Sequence, residues 1–206
     1  YFQIEVDDRL SLTQDFALTP AEVQDLIDEG ITSAGNLQNF RFFANDFDTE
    51  TKGFDIVATY PVSWENSDTT FSLSYNNTDT EVVNPGDNIG ETRIREYEEG
   101  LPETRYNLAA NHHMGDWRFL ARLSYYDDWY DSEDGQFYSG KSILDLEAAY
   151  TWRENTTIVL GMQNALDETP DDNPGAAAGV GNKYSQYSPF GFNGGFWYLR
   201  LTWHAM

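Results

Sequence analysis

Cysteine is absent from the 206 residues. That excludes a disulfide framework and any thiolate metal site. Basic residues are scarce: 12 Lys and Arg stand against 35 Asp and Glu, for a formal net charge of -23. Such a balance argues against a nucleic-acid partner, whose phosphates need Lys and Arg for neutralisation. No apolar run approaches the ~20 residues of a transmembrane helix. The strands of a membrane barrel escape that test, because they alternate apolar and polar residues. A leader segment is missing too. The chain opens directly in a strand pattern at Tyr1–Asp7, so the numbering is expected to start inside a longer protein.

Aromatics are plentiful, with 13 Phe, 13 Tyr and 6 Trp. Acidic disordered chains are poor in aromatics, so the acidity here does not signal disorder. The dominant pattern is period-two alternation. In 143–152, Leu144, Leu146, Ala148, Tyr150 and Trp152 oppose Asp145, Glu147, Ala149 and Thr151. In 117–126, Trp117, Phe119, Ala121, Leu123 and Tyr125 oppose Arg118, Leu120, Arg122, Ser124 and Tyr126. Near the C-terminus, Trp197, Leu199, Leu201 and Trp203 oppose Tyr198, Arg200, Thr202 and His204.

The alternation predicts an all-β, antiparallel fold of about nine strands: 1–12, 37–46, 52–63, 69–80, 103–112, 116–128, 141–153, 156–166 and 194–205. A soluble sandwich would use the apolar face as a core. Three features favour a transmembrane barrel. Aromatics sit near strand ends, where interfacial girdles lie. Opposite faces carry Arg, Asp, Glu, Gln and Asn, suiting a wet lumen. Glu147, on that polar face, is expected to accept replacement by arginine more easily than its apolar neighbour Leu146. Short connections (64–68, 113–115, 153–155) alternate with long ones (81–102, 129–140, 167–193), as periplasmic turns alternate with extracellular loops. With a periplasmic C-terminus, Asn45–Gly53 becomes a short extracellular hairpin. Segment 19–36 then falls on the periplasmic side. It holds the one helix signal, opened by Thr19-Pro20, with Val23, Leu26 and Ile27 on one face and Gly30 at its end. Hairpin-built barrels use even counts. Nine strands therefore mean either a miscount by one or part of a larger barrel, and the abrupt start favours the second.

Several stretches resemble TonB-dependent receptors. Phe42-Phe-Ala-Asn-Asp-Phe-Asp-Thr-Glu-Thr-Lys-Gly-Phe-Asp-Ile-Val-Ala-Thr-Tyr60 is similar to an aromatic-Asn to Gly-Ile-Asp hairpin of that family. Val159-Leu-Gly-Met-Gln-Asn-Ala-Leu-Asp167 resembles its penultimate strand, and Tyr187–Leu201 its last loop and closing strand. Ile4–Leu12 fits a strand before the hairpin. The resemblance implies that 1–206 is the C-terminal segment of a 22-strand-type barrel, with the plug domain absent. It implies a location in the outer membrane of a Gram-negative bacterium. It also implies TonB as a partner through a missing N-terminal region, the barrel assembly machinery as another, and uptake of a scarce small molecule. A ferric siderophore is the family default; a vitamin or an oligosaccharide is also open. The family usually ends on an aromatic, whereas here Trp203 is followed by His204-Ala205-Met206.

No catalytic constellation is visible, no cofactor is expected, and the chain reads as a non-enzyme. His112 and His113 fall at an expected turn, where a solvated turn outweighs a metal site. The long loops are acidic. Asp131, Glu133 and Asp134 invite a calcium reading, but the full ligand loop is lacking, and a solvated surface is favoured. The aromatics Tyr125, Tyr126, Trp129, Tyr130, Phe137 and Tyr138 form either a girdle with a packed loop or a stacking surface for ligand. Alternation aims Tyr126 inward, so Tyr126, Trp129 and Tyr130 are the candidate ligand contacts. Trp197, Leu199, Leu201 and Trp203 are the expected lipid-facing side of the closing strand. Two functions stand: energised uptake coupled to TonB, and a passive porin or structural barrel. A soluble sandwich with a carbohydrate-binding face is a third, weaker reading.

Overall fold

The computed structural model describes residues 1–36, 39–173, 175, 181 and 183–204. Positions 37–38 of the second expected strand, 174, 176–180 and 182 of the last loop, and the terminal Ala205 and Met206 lie outside the described residues. The strands are β1 (Phe2–Leu12), β2 (Phe16–Ala17), β3 (Asn39–Phe40), β4 (Phe43–Ser63), β5 (Asp68–Val83), β6 (Thr104–Met114), β7 (Trp117–Tyr126), β8 (Trp129–Asp131), β9 (Gln136–Tyr138), β10 (Lys141–Trp152), β11 (Thr156–Gln163) and β12 (Phe196–Trp203). Among the described residues two α-helices, α1 (Pro20–Asp28) and α2 (Glu91–Glu99), and a 3-10 turn at Thr32–Asn36 interrupt them.

Eight long strands form one antiparallel sheet in the order β1-β4-β5-β6-β7-β10-β11-β12. This is a meander in which each long strand pairs with the next. The sheet is open: among the described residues β1 and β12 each pair on one side only. Among the described residues no second long-stranded sheet packs on it as a sandwich would require. Large apolar side chains instead stay bare on one face, with Leu199 73% and Leu201 67% exposed. In water such a surface would be a costly apolar patch.

Among the described residues the main sheet has eight long strands rather than nine, because residues 43–63 form one strand of 21 residues. The expected hairpin at Asn45–Gly53 lies inside it. Its Asn-Asp and Lys-Gly pairs resemble turn signals, yet Phe47, Thr49 and Thr51 alternate with Asp48, Glu50 and Lys52 along a strand paired on both sides. Gly53 makes no turn and instead lets neighbouring strands come close, since a Cβ there would meet the Asn77 carbonyl and the Phe2 ring. Glycine inside a strand often marks such an approach. Opposite this stretch, the register of β1 shifts between Val6 and Arg9. Asp8 takes a φ of 51° there, and its amide donates to Asp48 Oδ1 at 2.9 Å.

Losing one strand reverses the side on which segment 19–36 lies. It sits at the end with the long loops, where the Gln14 amide donates to the Asn88 carbonyl at 2.9 Å. The helix itself forms as its sequence dictates. Thr19 caps α1 in a reciprocal capping box with Glu22, Pro20 sits in the first turn, and Gly30 beyond its end takes a φ of 99°. At the opposite end the strands join through 64–67, 115–116 and 153–155, and Gly115 supplies the positive φ of 57° that its tight turn needs.

Candidate functional site

Register assigns every long strand two faces. On the outward one, Ala58, Leu73, Leu108, Leu123 and Leu144 form a mid-height row across five strands. Aromatics close this band at both ends. Towards the long loops, Phe54 stacks on Tyr75 with centroids 5.5 Å apart, and Tyr106 on Tyr125 at 5.0 Å. Towards the short turns, Trp117 meets Phe119 at 5.8 Å and Tyr150 at 4.8 Å. Trp64 joins them, its indole N–H donating to Thr69 Oγ1 at 2.9 Å. Amphipathic rings favour the boundary between hydrocarbon and water. Trp197, Leu199, Leu201 and Trp203 lie on this same face through their pairing with Met162, Leu160, Ile158 and Thr156.

The inward face is charged and internally paired. Arg118 pairs with Glu147, Arg122 with Asp145 at 2.7 Å, and Arg200 reaches Glu147 at 3.6 Å. The Tyr198 hydroxyl donates to Glu147 at 2.6 Å. Tyr198 gets there by crossing Gly161, where any Cβ would collide with the ring. Glu147 is thus the hub of a network, not a freely solvated side chain.

The mouth is built from loops 84–103, 127–140 and 164–195, joined by side chains distant in sequence. In the middle loop, β8 and β9 form a small hairpin. Trp129 is 0% exposed and stacks on Tyr138 at 5.4 Å. Tyr130 is buried beneath Arg95 of α2, whose guanidinium lies 5.0 Å from its ring. Asp131 accepts from Ser185 Oγ at 2.5 Å, and Asp134 accepts from Asn173. Glu133 accepts from Gln186 and from the Tyr187 hydroxyl, each at 2.8 Å. Lys141 pairs with Asp171 at 2.9 Å, and the Ser139 amide donates to the same carboxylate at 2.8 Å.

These ties shift proton affinities. Burial disfavours the charged form of Asp171, but the bonds from Lys141 and Ser139 outweigh it and hold the carboxyl below its ordinary range. The Tyr187 hydroxyl is raised by its hydrogen bond to Glu133 and by burial. Burial pushes Tyr138 up to about 12, with Asp134 and Asp131 adding to it.

Below this cap, on the inward face, lies a cleft of about 300 Å³. Tyr126, Asp145, Gln163, Phe190, Asn193 and Phe196 line it. Tyr126 and Phe190 lean together, centroids 5.6 Å apart and planes at 36°. Trp129 braces Phe190 from behind, edge-on at 5.9 Å. Of the candidate ligand contacts, Tyr126 therefore opens onto the cleft, whereas Trp129 and Tyr130 are buried in the loop core. Tyr125 points outward into the girdle, as alternation requires. Phe190, Gln163 and Asn193 escaped the sequence reading. Gln163 was accessible to it through the alternation of β11. Phe190 and Asn193 sit in an irregular loop with no period to follow.

His112 and His113 are consecutive in β6, not in a turn, so they point to opposite faces. His112 Nδ1 shares a hydrogen bond with Thr69 at 2.8 Å. Asp131, Glu133 and Asp134 bind side chains of the neighbouring loop. Among the described residues no three His or carboxylate groups converge to hold an ion.

No curated protein matches the chain. A family model does: TonB dependent receptor-like, β-barrel, over residues 1–165. That span runs from β1 through β11 and includes the mid-height outward row, the Arg118–Glu147 and Arg122–Asp145 pairs and two of the three mouth loops. A sheet with a bare apolar face, two aromatic belts and loops gathered at one end is what a wall between lipid and water requires. On the family match and on this geometry alike, the chain belongs to the TonB-dependent receptor β-barrel family, a family of outer-membrane transporters of Gram-negative bacteria.

Proposed function

We propose that this chain is the C-terminal part of the barrel of an active outer-membrane receptor. It takes up a scarce ligand of the siderophore, vitamin or oligosaccharide type, using energy delivered through TonB. The observation that carries the reading is the loop-capped cleft on the inward face. It lies on the route from the outside into the lumen, and a passive pore has no need of an aromatic pocket there. The open edges at β1 and β12 support closure by further strands, because unpaired backbone groups in lipid cost several kcal/mol each. The 22-strand type is the size the resemblance suggests. Trp197, Leu199, Leu201 and Trp203 then face outer-membrane lipid, and insertion proceeds through the barrel assembly machinery. TonB engages a region N-terminal to Tyr1.

Tyr126 contacts ligand directly in this scheme. Trp129 and Tyr130 act from behind, by fixing Phe190 and the hairpin. A stacked aromatic contributes about 0.5–1.5 kcal/mol beyond area burial, so Tyr126→Ala weakens uptake several-fold while assembly stays normal. Trp129→Ala adds to it by releasing Phe190. The control is Leu160→Ala on the outward face, which leaves uptake unchanged. Accumulation of labelled ligand is compared in intact cells with and without TonB, and with a protonophore. Energised uptake disappears in the last two conditions. Uptake that persists there refutes the reading in favour of a passive pore.

A further inference from the structure

The cleft is lined by rings and neutral amides and is short of cations, which bears on the kind of ligand it takes. Its one carboxylate, Asp145, is already engaged. Arg122 donates to Oδ2 at 3.1 and 2.7 Å, and the Asn164 amide donates to Oδ1 at 2.9 Å. Among the described residues no Lys, Arg or His lines the cleft. Lys141, a register neighbour of Tyr126, is neutralised by Asp171 at 2.9 Å. The loops above are strongly acidic: loop 84–103 carries Asp87, Glu91, Glu96, Glu98, Glu99 and Glu103 against Arg93 and Arg95, and loop 127–140 has no basic residue. An anion descending through that mouth meets repulsion, and Arg105, unpaired on the neighbouring strand, is not among the residues that line the cleft to offset its lost water.

The groups that remain free suit a different chemistry. The Tyr126 hydroxyl and the Gln163 and Asn193 amides line the cleft, and no protein partner holds them among the described residues. Hydroxyl and amide groups both donate and accept, which matches ligand hydroxyls. Carboxylate or catecholate oxygens call for donors alone. Tyr126, Phe190 and Phe196 offer apolar ring faces beside them. A volume of about 300 Å³ is at the small end for ligand clefts, with room for small rings rather than a macrocycle.

We infer that the cleft beside Tyr126 binds an uncharged, polyhydroxylated ring ligand, a neutral saccharide, and discriminates against anionic metal chelates. The inference deepens the transport reading and rests on it. Arg105 sharpens the test: it is the register partner of Tyr126 on the inward face, and no carboxylate pairs with it among the described residues. An anionic ligand entering here would recruit Arg105; a neutral one has no use for it.

The experiment uses the full-length receptor purified in detergent. Binding is measured by calorimetry and tryptophan fluorescence. The probes are a panel of neutral oligosaccharides (malto-, cello-, xylo- and chito-hexaoses) and, separately, ferric citrate and a ferric tricatecholate. The expected result is saturable binding of at least one oligosaccharide, changing less than twofold between low and high salt. Tyr126→Ala weakens it three- to tenfold, and Arg105→Gln leaves it within twofold. Tighter binding of either iron chelate, falling with salt and lost in Arg105→Gln, overturns the inference. So does a panel in which no oligosaccharide binds at millimolar concentration. Uptake in cells separates the two readings. TonB-dependent accumulation of an iron chelate sinks the saccharide inference and keeps the transport reading. Accumulation that ignores TonB sinks the transport reading itself.

Discussion

Leu108→Arg and Val57→Arg place the same charge at nearly the same height on opposite faces of the sheet. Leu108 lies in the mid-height outward row, between Leu73 and Leu123, and is 47% exposed. Val57 adjoins Ala58 of that row but points inward, and it is 79% exposed. In water both replacements are surface changes, each within about 0.5 kcal/mol. In a bilayer they part company. Arginine at the lipid-facing midplane of a barrel costs about 2–4 kcal/mol, whereas an inward arginine stays hydrated. At about 1.4 kcal/mol per tenfold, Leu108→Arg shifts the folding equilibrium by roughly thirty-fold to several hundred-fold. The assay is urea-dependent folding of the full-length protein into lipid vesicles, followed by heat-modifiable migration. Equal midpoints for the two variants, or a larger loss in Val57→Arg, would refute the two-faced assignment.

Gly161→Ala drives a methyl group into the Tyr198 ring and breaks its bond to Glu147, with an expected loss of about 1–3 kcal/mol; in the Tyr198→Ala background the same change costs little, which a double-mutant cycle in vesicles reads directly. Glu147→Arg leaves Arg118 and Arg200 facing a third positive charge, so it assembles worse than Glu147→Gln, as the level of folded protein in membranes shows. The lowered carboxyl of Asp171 gives a loop tie that is fully present above the unfolded value of about 3.8 and is lost as pH falls through the lower folded value. Proteolytic sensitivity of loop 164–195 therefore stays flat from pH 7 to 5 and rises only below about 3.8. Asp171→Asn, in contrast, leaves the loop sensitive at neutral pH.

Much of the wall was legible because a strand is a local pattern with a period of two. Segments 117–126 and 143–152 show their faces in sequence, and the structure keeps those faces. Helix α1 was legible for a similar reason, since Thr19, Pro20 and Gly30 act within a turn of their own positions. The continuous strand at 43–63 was not. Its Asn45-Asp46 and Lys52-Gly53 pairs read locally as a hairpin, and what overrides them is pairing with β1 and β5. From that one error followed the wrong side for segment 19–36, because side alternates with every strand. Helix α2 leaves little trace in its acidic stretch of sequence. Gly90 offers no side-chain cap, and only Ile94 and Tyr97 mark its packed face against Phe47 and Val82. The buried state of Trp129 and Tyr130 was equally hidden. It depends on Arg95, Ser185 and Phe190, which no spacing rule brings to that hairpin.

The strands differ in length in a graded way. β4 has 21 residues and β5 has 16, whereas β11 and β12 have 8 each. On β4 the outward apolar stretch, Phe54 to Val62, ends well short of Phe43, so the strand climbs far beyond the hydrocarbon. The rim is therefore slanted, with a rigid parapet on the β4 side and a low sill on the β12 side. On the tall side the boundary of the mouth is hydrogen-bonded backbone, which admits little change without loss of register. On the low side, among the described residues, the boundary is made by loops 127–140 and 164–195. Those loops can vary in length and composition without disturbing a single lipid contact. On the transport reading proposed above, a change of diet is thus a matter of rebuilding one side of the doorway while the opposite jamb stays fixed.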